Sequence, residues 1–414
     1  MDTEPDRGNN APTLDRSPST AVETPAASRD GERGRVAASV DRLSALPDQV
    51  LRSVLSRLTS LQAARTSALS RRWRHLWRAV PCINIDQREF LRPPRAAYPA
   101  DGLPATGLRA FYAIREEHLA ASVEAWNRFE DVADRLSLRH DEKSPPLDAL
   151  RLRVACDDFR AAHKWIRRGL ARRPASLHLR CDNDDPEDTD SGWPCFPTAY
   201  AAGTFFTCRL RTLRLSGLLL LSGFADAVAT GFPVLEDMQL HDCRYKFRPL
   251  ASASLKKLSI EYHGHGYKVD DELVLMTPSI VSLHILGNAP PVALQCEMPS
   301  VVEATLMHRA GDLGLLRYLR DARSLKLSWF STTALLDDGE PGGFPVFQSL
   351  RTLLLDGCDV GAECHVLRRF LRNAPSLETL TLRNCHWNCV FSGGAPMFVC
   401  NYRDQTWFLR IRCQ

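Results

Sequence analysis

The sequence predicts an α/β protein in which a short three-helix module near the N-terminus precedes a solenoid of parallel β-strands. Two patterns carry this prediction. Between Asp41 and Val80 the apolar residues fall at helical spacing, interrupted twice by residues suited to starting a helix. From about residue 147 a second pattern takes over, in which an apolar residue, two others and an apolar–x–apolar triplet recur at intervals of a few tens of residues.

Residues 1–40 contain no aromatic side chain and are rich in Pro, Ser, Ala, Asp and Arg. Such a segment cannot bury enough apolar surface to offset its ordering entropy and is expected to be disordered. The module, residues 41–85, follows. Pro47 suits a first helical turn, where its missing N–H is no loss. Val50, Leu51, Val54, Leu55 and Leu58 then share one helical face. Thr59 and Ser60 break the run, and Ser60 is placed to cap a second helix through Leu61, Ala64 and Ala68. Ser70 is placed to cap a third, carrying Trp73, Leu76, Trp77 and Val80. Three short helices make too small a core to stand alone, so the module is expected to lean on the rest of the chain or on a partner. Residues 86–146 form a connecting region. Pro93, Pro94, Pro99 and Pro104 mark a loop there, and Leu119 to Leu138 reads as a helix running into a short strand.

Residues 147–385 hold the repeats, among them LDALRL, LRTLRL, LEDMQL, LKKLSI, IVSLHI, LRTLLL and LETLTL. Their last apolar positions are Leu152, Leu179, Leu215, Leu240, Ile260, Ile285, Leu306, Leu327, Leu355 and Leu382, separated by 20 to 36 residues. All but the longest spacing fit a leucine-rich repeat, whose period is roughly 20–29 residues. Three positions further on stand Cys243, Asn288, Cys358 and Cys385, where such a repeat turns a small polar group inward to bond neighbouring backbone. Between the two strand leucines the side chain alternates onto the opposite face. Nine of those ten residues are polar, as a solvent-facing concave sheet requires. Arg214, Gln239, His284 and Lys326 on that face are the candidate substrate contacts. The longest interval holds the acidic run DNDDPEDTD, Asp182 to Asp190, read as a surface insertion. Residues 386–414 break the period and form a C-terminal tail, either a cap or a loosely packed end.

Composition narrows the function. Of 414 residues, 44% are hydrophobic and 25% charged, ordinary values for a globular protein. A net charge of +4 gives no bulk attraction to nucleic acid or membrane. No run approaches the ~20 apolar residues of a membrane span, and the polar N-terminus lacks a secretory apolar core. The thirteen cysteines are scattered, odd in number and without a CxxC pair, which speaks against a disulfide framework and for the cytoplasm or nucleus.

Each candidate for chemistry has a plainer reading. The acidic run lacks the glycine and glutamate of a calcium loop and carries Pro186 at its centre. Of Cys358, Cys364, His365, Cys385, His386 and Cys389, two cysteines already fit inward repeat positions, so zinc is not needed to explain them. His263 and His265 flank a glycine in a stretch that reads as a turn. Arg71, Arg72, Arg74 and Arg78 interleave with Trp73 and Trp77, which suggests phosphate and base contacts but fits an amphipathic helix with solvated arginines better. No phosphate-binding loop, nucleophile elbow or HExxH motif occurs.

The stretch from Asp41 to Val80 resembles an F-box. The resemblance rests on Leu46-Pro47, on the helix of Val50, Leu51, Val54, Leu55 and Leu58, and on LSRRWRHLW, Leu69 to Trp77. With Ile83-Asn84-Ile85 following, it is especially similar to plant F-box proteins that carry leucine-rich repeats, and it covers roughly residues 41–385. Gln49 stands where an acidic residue is usual and Thr59 where proline is common. Many relatives end in a further domain, termed FBD, of which the tail shows no clear copy. The resemblance implies that the box docks on a Skp-type adaptor, through it on a cullin–RING ubiquitin ligase, while the repeats hold a protein substrate. It implies adaptor contacts at Leu46, Pro47, Val50, Leu51, Val54, Leu55, Leu58, Leu69 and Trp73, no cofactor and no catalysis by the chain itself. The competing expectation is a repeat scaffold for protein interaction that is not coupled to a ligase.

Overall fold

The computed structural model describes residues 43, 45–90, 108–138, 146–155, 159–182, 193–196, 209–263, 272–288, 292–307, 313–330, 344–362, 365–388, 399–401 and 406–410. The expected disordered segment 1–40, the proline-rich loop, most of the acidic run, His265, Cys364 and Cys389 lie outside them. Residues Pro47–Gln414 form one compact unit, separate from Met1–Leu46.

The module contains helices α1 (Asp48–Leu55), α2 (Ser60–Arg65) and α3 (Trp73–Leu76), the last two extended by single 3₁₀ turns. Pro47 sits one position earlier than expected, at the N-cap of α1, where its carbonyl accepts the N–H groups of Val50 and Leu51. Thr59, not Ser60, caps α2. The Thr59 hydroxyl accepts from the Gln62 N–H at 3.2 Å while the Gln62 side chain accepts from the Thr59 N–H at 3.4 Å, a reciprocal capping box. The Ser60 side chain bonds β1 instead, its hydroxyl accepting the Asn84 N–H at 2.9 Å; β1 is the strand Cys82–Asp86. At α3 the Ser70 hydroxyl accepts the Trp73 N–H at 3.4 Å. Leu51, Leu55, Ala63, Trp73, Leu76 and Val80 close a small core.

The module does not stand apart from the repeats. Strand β1 pairs in parallel with β2 (Ala149–Ala155), Ile83 opposite Leu150 and Ile85 opposite Leu152. Beyond β2 the main sheet continues through β3 (Ser176–Asp182), β4 (Thr212–Ser216), β5 (Asp237–His241), β6 (Lys257–Tyr262), β7 (Ser282–Gly287), β8 (Glu303–Met307), β9 (Ser324–Ser328), β10 (Thr352–Asp356) and β11 (Thr379–Arg383), each parallel to the one before. All ten strand leucines and isoleucines named above lie directly opposite one another in this register. They and the apolar residues two positions before them point into one contiguous apolar core. Parallel strands need long return connections, which is why the period is some twenty residues or more. The returns carry short parallel ladders of their own, such as Leu219–Leu221 with Arg244–Lys246.

One element departs from expectation. Residues 108–138 form one helix, α4 (Leu108–Leu138), helical through the segment read as strand. Its Trp126 and Phe129 pack against Trp165 of helix α5 (Phe159–Ala171), with Phe129 and Trp165 edge-on at 5.1 Å, so tertiary packing extends the helix that far. The tail contributes to the sheet. Strands β12 (Val399–Asn401) and β13 (Thr406–Arg410) continue it past β11 in the order β11–β13–β12, both pairings antiparallel.

Candidate functional site

Helix α1 presents two different faces. Leu51 and Leu55 are 0% and 1% exposed, whereas Val50 and Val54 are 43% and 46% exposed. Residues four apart lie above one another on a helix, so Val50 and Val54 form an apolar stripe at the surface beside the buried pair. The spacing in the sequence groups all four with Leu58 as one face. The structure corrects this: Leu51 and Leu55 pack the module's own core, and Trp73, 6% exposed, does the same. In this chain these three side chains are packed into the module itself. Pro47 is exposed, Leu58 half-buried and Leu69 68% exposed. Leu46 belongs to the separate N-terminal unit and is half-buried.

The arginines of the module are solvated. Arg71, Arg72, Arg74 and Arg78 lie at the surface, Arg72 pairs with Asp48 at 2.6 Å, and Arg78 lies over the Trp77 ring at 5.6 Å. With Trp73 buried, no pair of tryptophans stands free to stack on bases.

The open face of the sheet carries a continuous row, one residue from each strand in register: Asn84, Arg151, His178, Arg214, Gln239, Ser259, His284, Thr305, Lys326, Leu354 and Thr381. Arg214, Gln239, His284 and Lys326 are thus brought onto one surface, as the alternation demands. Arg214 is exposed and the other three half-buried. His284 bonds the Ser282 hydroxyl at 2.8 Å and lies 3.6 Å from Glu303. The row ends at Thr381, which is 7% exposed where the sheet passes into its antiparallel extension.

At the end of the row nearest the module lies an open groove of about 410 Å³, lined by Asn84, Asp86, Arg151, Arg153, His178, Arg180, Arg214 and Gln239 among others. The repeat pattern in the sequence marks Arg214 and Gln239 but not the groove. Its floor begins at β1, which the repeat spacing alone does not reveal. The Ile83-Asn84-Ile85 alternation was the available signal. Partial burial works to raise the Asp182 carboxyl, but hydrogen bonds from the Arg153 and Arg180 guanidiniums outweigh it and hold the group below the usual carboxylate range. Burial, with Arg214 and Arg151 nearby, pushes His178 down to about 4, so its ring is neutral at physiological pH. The groove therefore combines a neutral imidazole with guanidiniums, of which Arg153 and Arg180 are already held by Asp182.

The inward cysteines behave as their position predicts. Cys358 donates to the Leu327 carbonyl at 3.4 Å, and Cys385 to the Leu355 carbonyl at 3.4 Å, each bonding an adjacent strand. Burial pushes the Cys243 and Cys385 thiols up to about 12, which makes both poor metal ligands and poor nucleophiles.

A helical box joined strand-to-strand to a parallel, leucine-repeating sheet defines the class of F-box proteins with leucine-rich repeats. Residues 43–84 match the F-box domain. The chain is 35% identical to MEIOTIC F-BOX protein MOF of Oryza sativa subsp. japonica, over 83% of this chain and 72% of that protein. Two F-box/LRR-repeat proteins of Arabidopsis thaliana are 25% and 26% identical, the first over 83% of this chain and 76% of its own length, the second over 64% and 79%. The chain belongs to the plant family of F-box proteins with leucine-rich repeats, whose F-box members are generally non-catalytic adaptors.

Proposed function

We propose that this chain is the substrate-recognition subunit of an SCF-type (Skp–cullin–F-box) ubiquitin ligase. Its box docks on a Skp-type adaptor, and its repeats, stacked as a solenoid, bind a protein substrate in the cytoplasm or nucleus. The carrying observation is the divided helix α1: Val50 and Val54 lie exposed while Leu51 and Leu55 hold the module together. An apolar stripe on a helix suits a helical partner, and a standard interface of about 1,600 Å² depends on a few such anchors. The chain supplies no reacting group in this role. It raises the effective concentration of substrate beside the ligase.

The alternative, a repeat scaffold uncoupled from any ligase, draws on Gln49 and Thr59 as signs of a degenerate box. Thr59 argues the other way, because it caps α2 and donates to Glu89 at 2.8 Å, a complete local structure. The test is adaptor binding by the full chain, compared with a Val50→Asp, Val54→Asp variant checked by circular dichroism. Binding that falls at least ~100-fold in the folded variant, about 2.7 kcal/mol, supports the ligase reading. A folded wild-type chain that does not bind leaves the scaffold.

A further inference from the structure

His241, Asp242, Glu261 and His263 meet at the ends of β5 and β6, on neighbouring repeats. Glu261 stands opposite His241 in the strand register. Asp242 lies between the two imidazoles on one side, its carboxylate 3.0 Å from His241 Nδ1 and 3.5 Å from His263 Nδ1. Glu261 lies on the other, 3.9 Å from His241 Nε2 and 3.4 Å from His263 Nε2. Donor atoms of His241, Asp242 and His263 all fall within 4.8 Å of one another.

We propose that His241, Asp242 and His263, with Glu261 beside them, form a binding site for a divalent transition-metal ion of the zinc type. Three features support this beyond proximity. The backbone holds the carboxylate in place: Asp242 has φ 47°, donates its N–H to the Glu261 carbonyl at 2.7 Å and accepts the His263 N–H on Oδ1 at 2.7 Å. Neither carboxylate is paired with a lysine or arginine among the described residues, so two negative charges face only histidines. On the Nδ1 side, the Asp242 carboxylate lies 3.0 and 3.5 Å from the two imidazoles, close to the ~3.3 Å between tetrahedral donors of a zinc ion with bonds of about 2.0–2.1 Å, while Glu261, on the Nε2 side, would hold the rings in orientation rather than ligate. Mixed imidazole and carboxylate donors select zinc, copper or nickel over calcium and magnesium, which take oxygen alone. The ion would tie two repeats together at the rim of the groove, which His241 also lines. The turn expected around His263 and His265 missed this because the second imidazole comes from the preceding repeat.

The experiment titrates the full-length, chelator-stripped chain with Zn²⁺ against a chromophoric competitor, and with Co²⁺ to read the ligand set from its spectrum. The expected result is one saturable Zn²⁺ site without thiolate charge-transfer absorption in the Co²⁺ form. Affinity should fall at least 30-fold in His263→Ala and in Asp242→Asn and stay unchanged in His284→Ala. Asparagine tolerates the backbone of Asp242, as Asn384 shows at φ 49°, so that variant keeps its fold. No saturable binding by the folded wild-type chain overturns the proposal, as does binding that both variants retain.

Discussion

Gly217, Asp242, Gly287, Trp329, Gly357 and Asn384 each stand two positions after a strand leucine or isoleucine, and all have φ between 47° and 74°. The chain must turn left-handed there to leave the strand, a conformation that glycine, asparagine and aspartate accept most readily. Gly217 and Gly287 are the most constrained, each lying against the backbone of the preceding strand. A Cβ at Gly217 would lie 2.1 Å from the Cys181 carbonyl oxygen on a neighbouring strand. Gly217→Ala combines that overlap with backbone strain, and urea unfolding should show a loss of about 3 kcal/mol. Asn384→Gly should stay within about 0.5 kcal/mol of wild type. His178 gives a second expectation. Its folded pKa is depressed, so between about 6.5 and 4 the unfolded chain binds a proton that the folded chain refuses. His178 stabilises the fold fully above that window and progressively less as the pH falls through it. The urea midpoint of the wild-type chain should therefore drop further between pH 7 and pH 5 than that of His178→Gln. Equal drops would show that the ring is not held neutral by the groove.

Helix α1 shows where sequence reading reaches its limit. The spacing of Val50, Leu51, Val54, Leu55 and Leu58 correctly marks a helix with an apolar side, but a stripe that wide spans both the module's interior and its surface. Only the packing of α3 and the turn Trp77–Ala79 that follows it against α1 decides which residues turn inward. The same limit holds for the sheet. Every strand leucine was legible because the side-chain alternation and the repeat period are local properties, and the register followed from them. Helix α5, the groove and the pairing of β1 with β2 depend on contacts between segments far apart in sequence, which no period encodes. A clean separation follows for α1. Leu51→Ala removes a fully buried side chain and should cost about 2–4 kcal/mol of stability, seen as a lowered thermal midpoint. Val54→Ala, at an exposed position, should leave that midpoint within a degree or two while weakening adaptor capture. If Val54→Ala destabilised the chain as much as Leu51→Ala, the surface stripe would be part of the core after all.

The Pro47–Gln414 unit is continuous where modular thinking would cut it. Ile83 and Ile85 belong to the same apolar core as Leu150, Leu152 and the repeat leucines beyond them, and Trp77 packs against it. Asn84 is bonded to the module on one side, through Ser60 and the Leu58 carbonyl, and faces the groove on the other. Strand β1 thus covers the backbone edge of β2, which would otherwise stand unpaired. A fragment starting at residue 87 would keep every repeat but lose β1, uncovering both the backbone edge of β2 and the apolar side chains of Leu150 and Leu152. It should elute as oligomers in size-exclusion chromatography with light scattering, and melt several degrees below a fragment starting at residue 41. Restoring only β1 would not suffice, because the strand is anchored through Ser60 and the small core behind it. A monomeric 87–414 fragment with an unchanged melting point would show instead that the repeats cap themselves and that the box is a detachable adaptor.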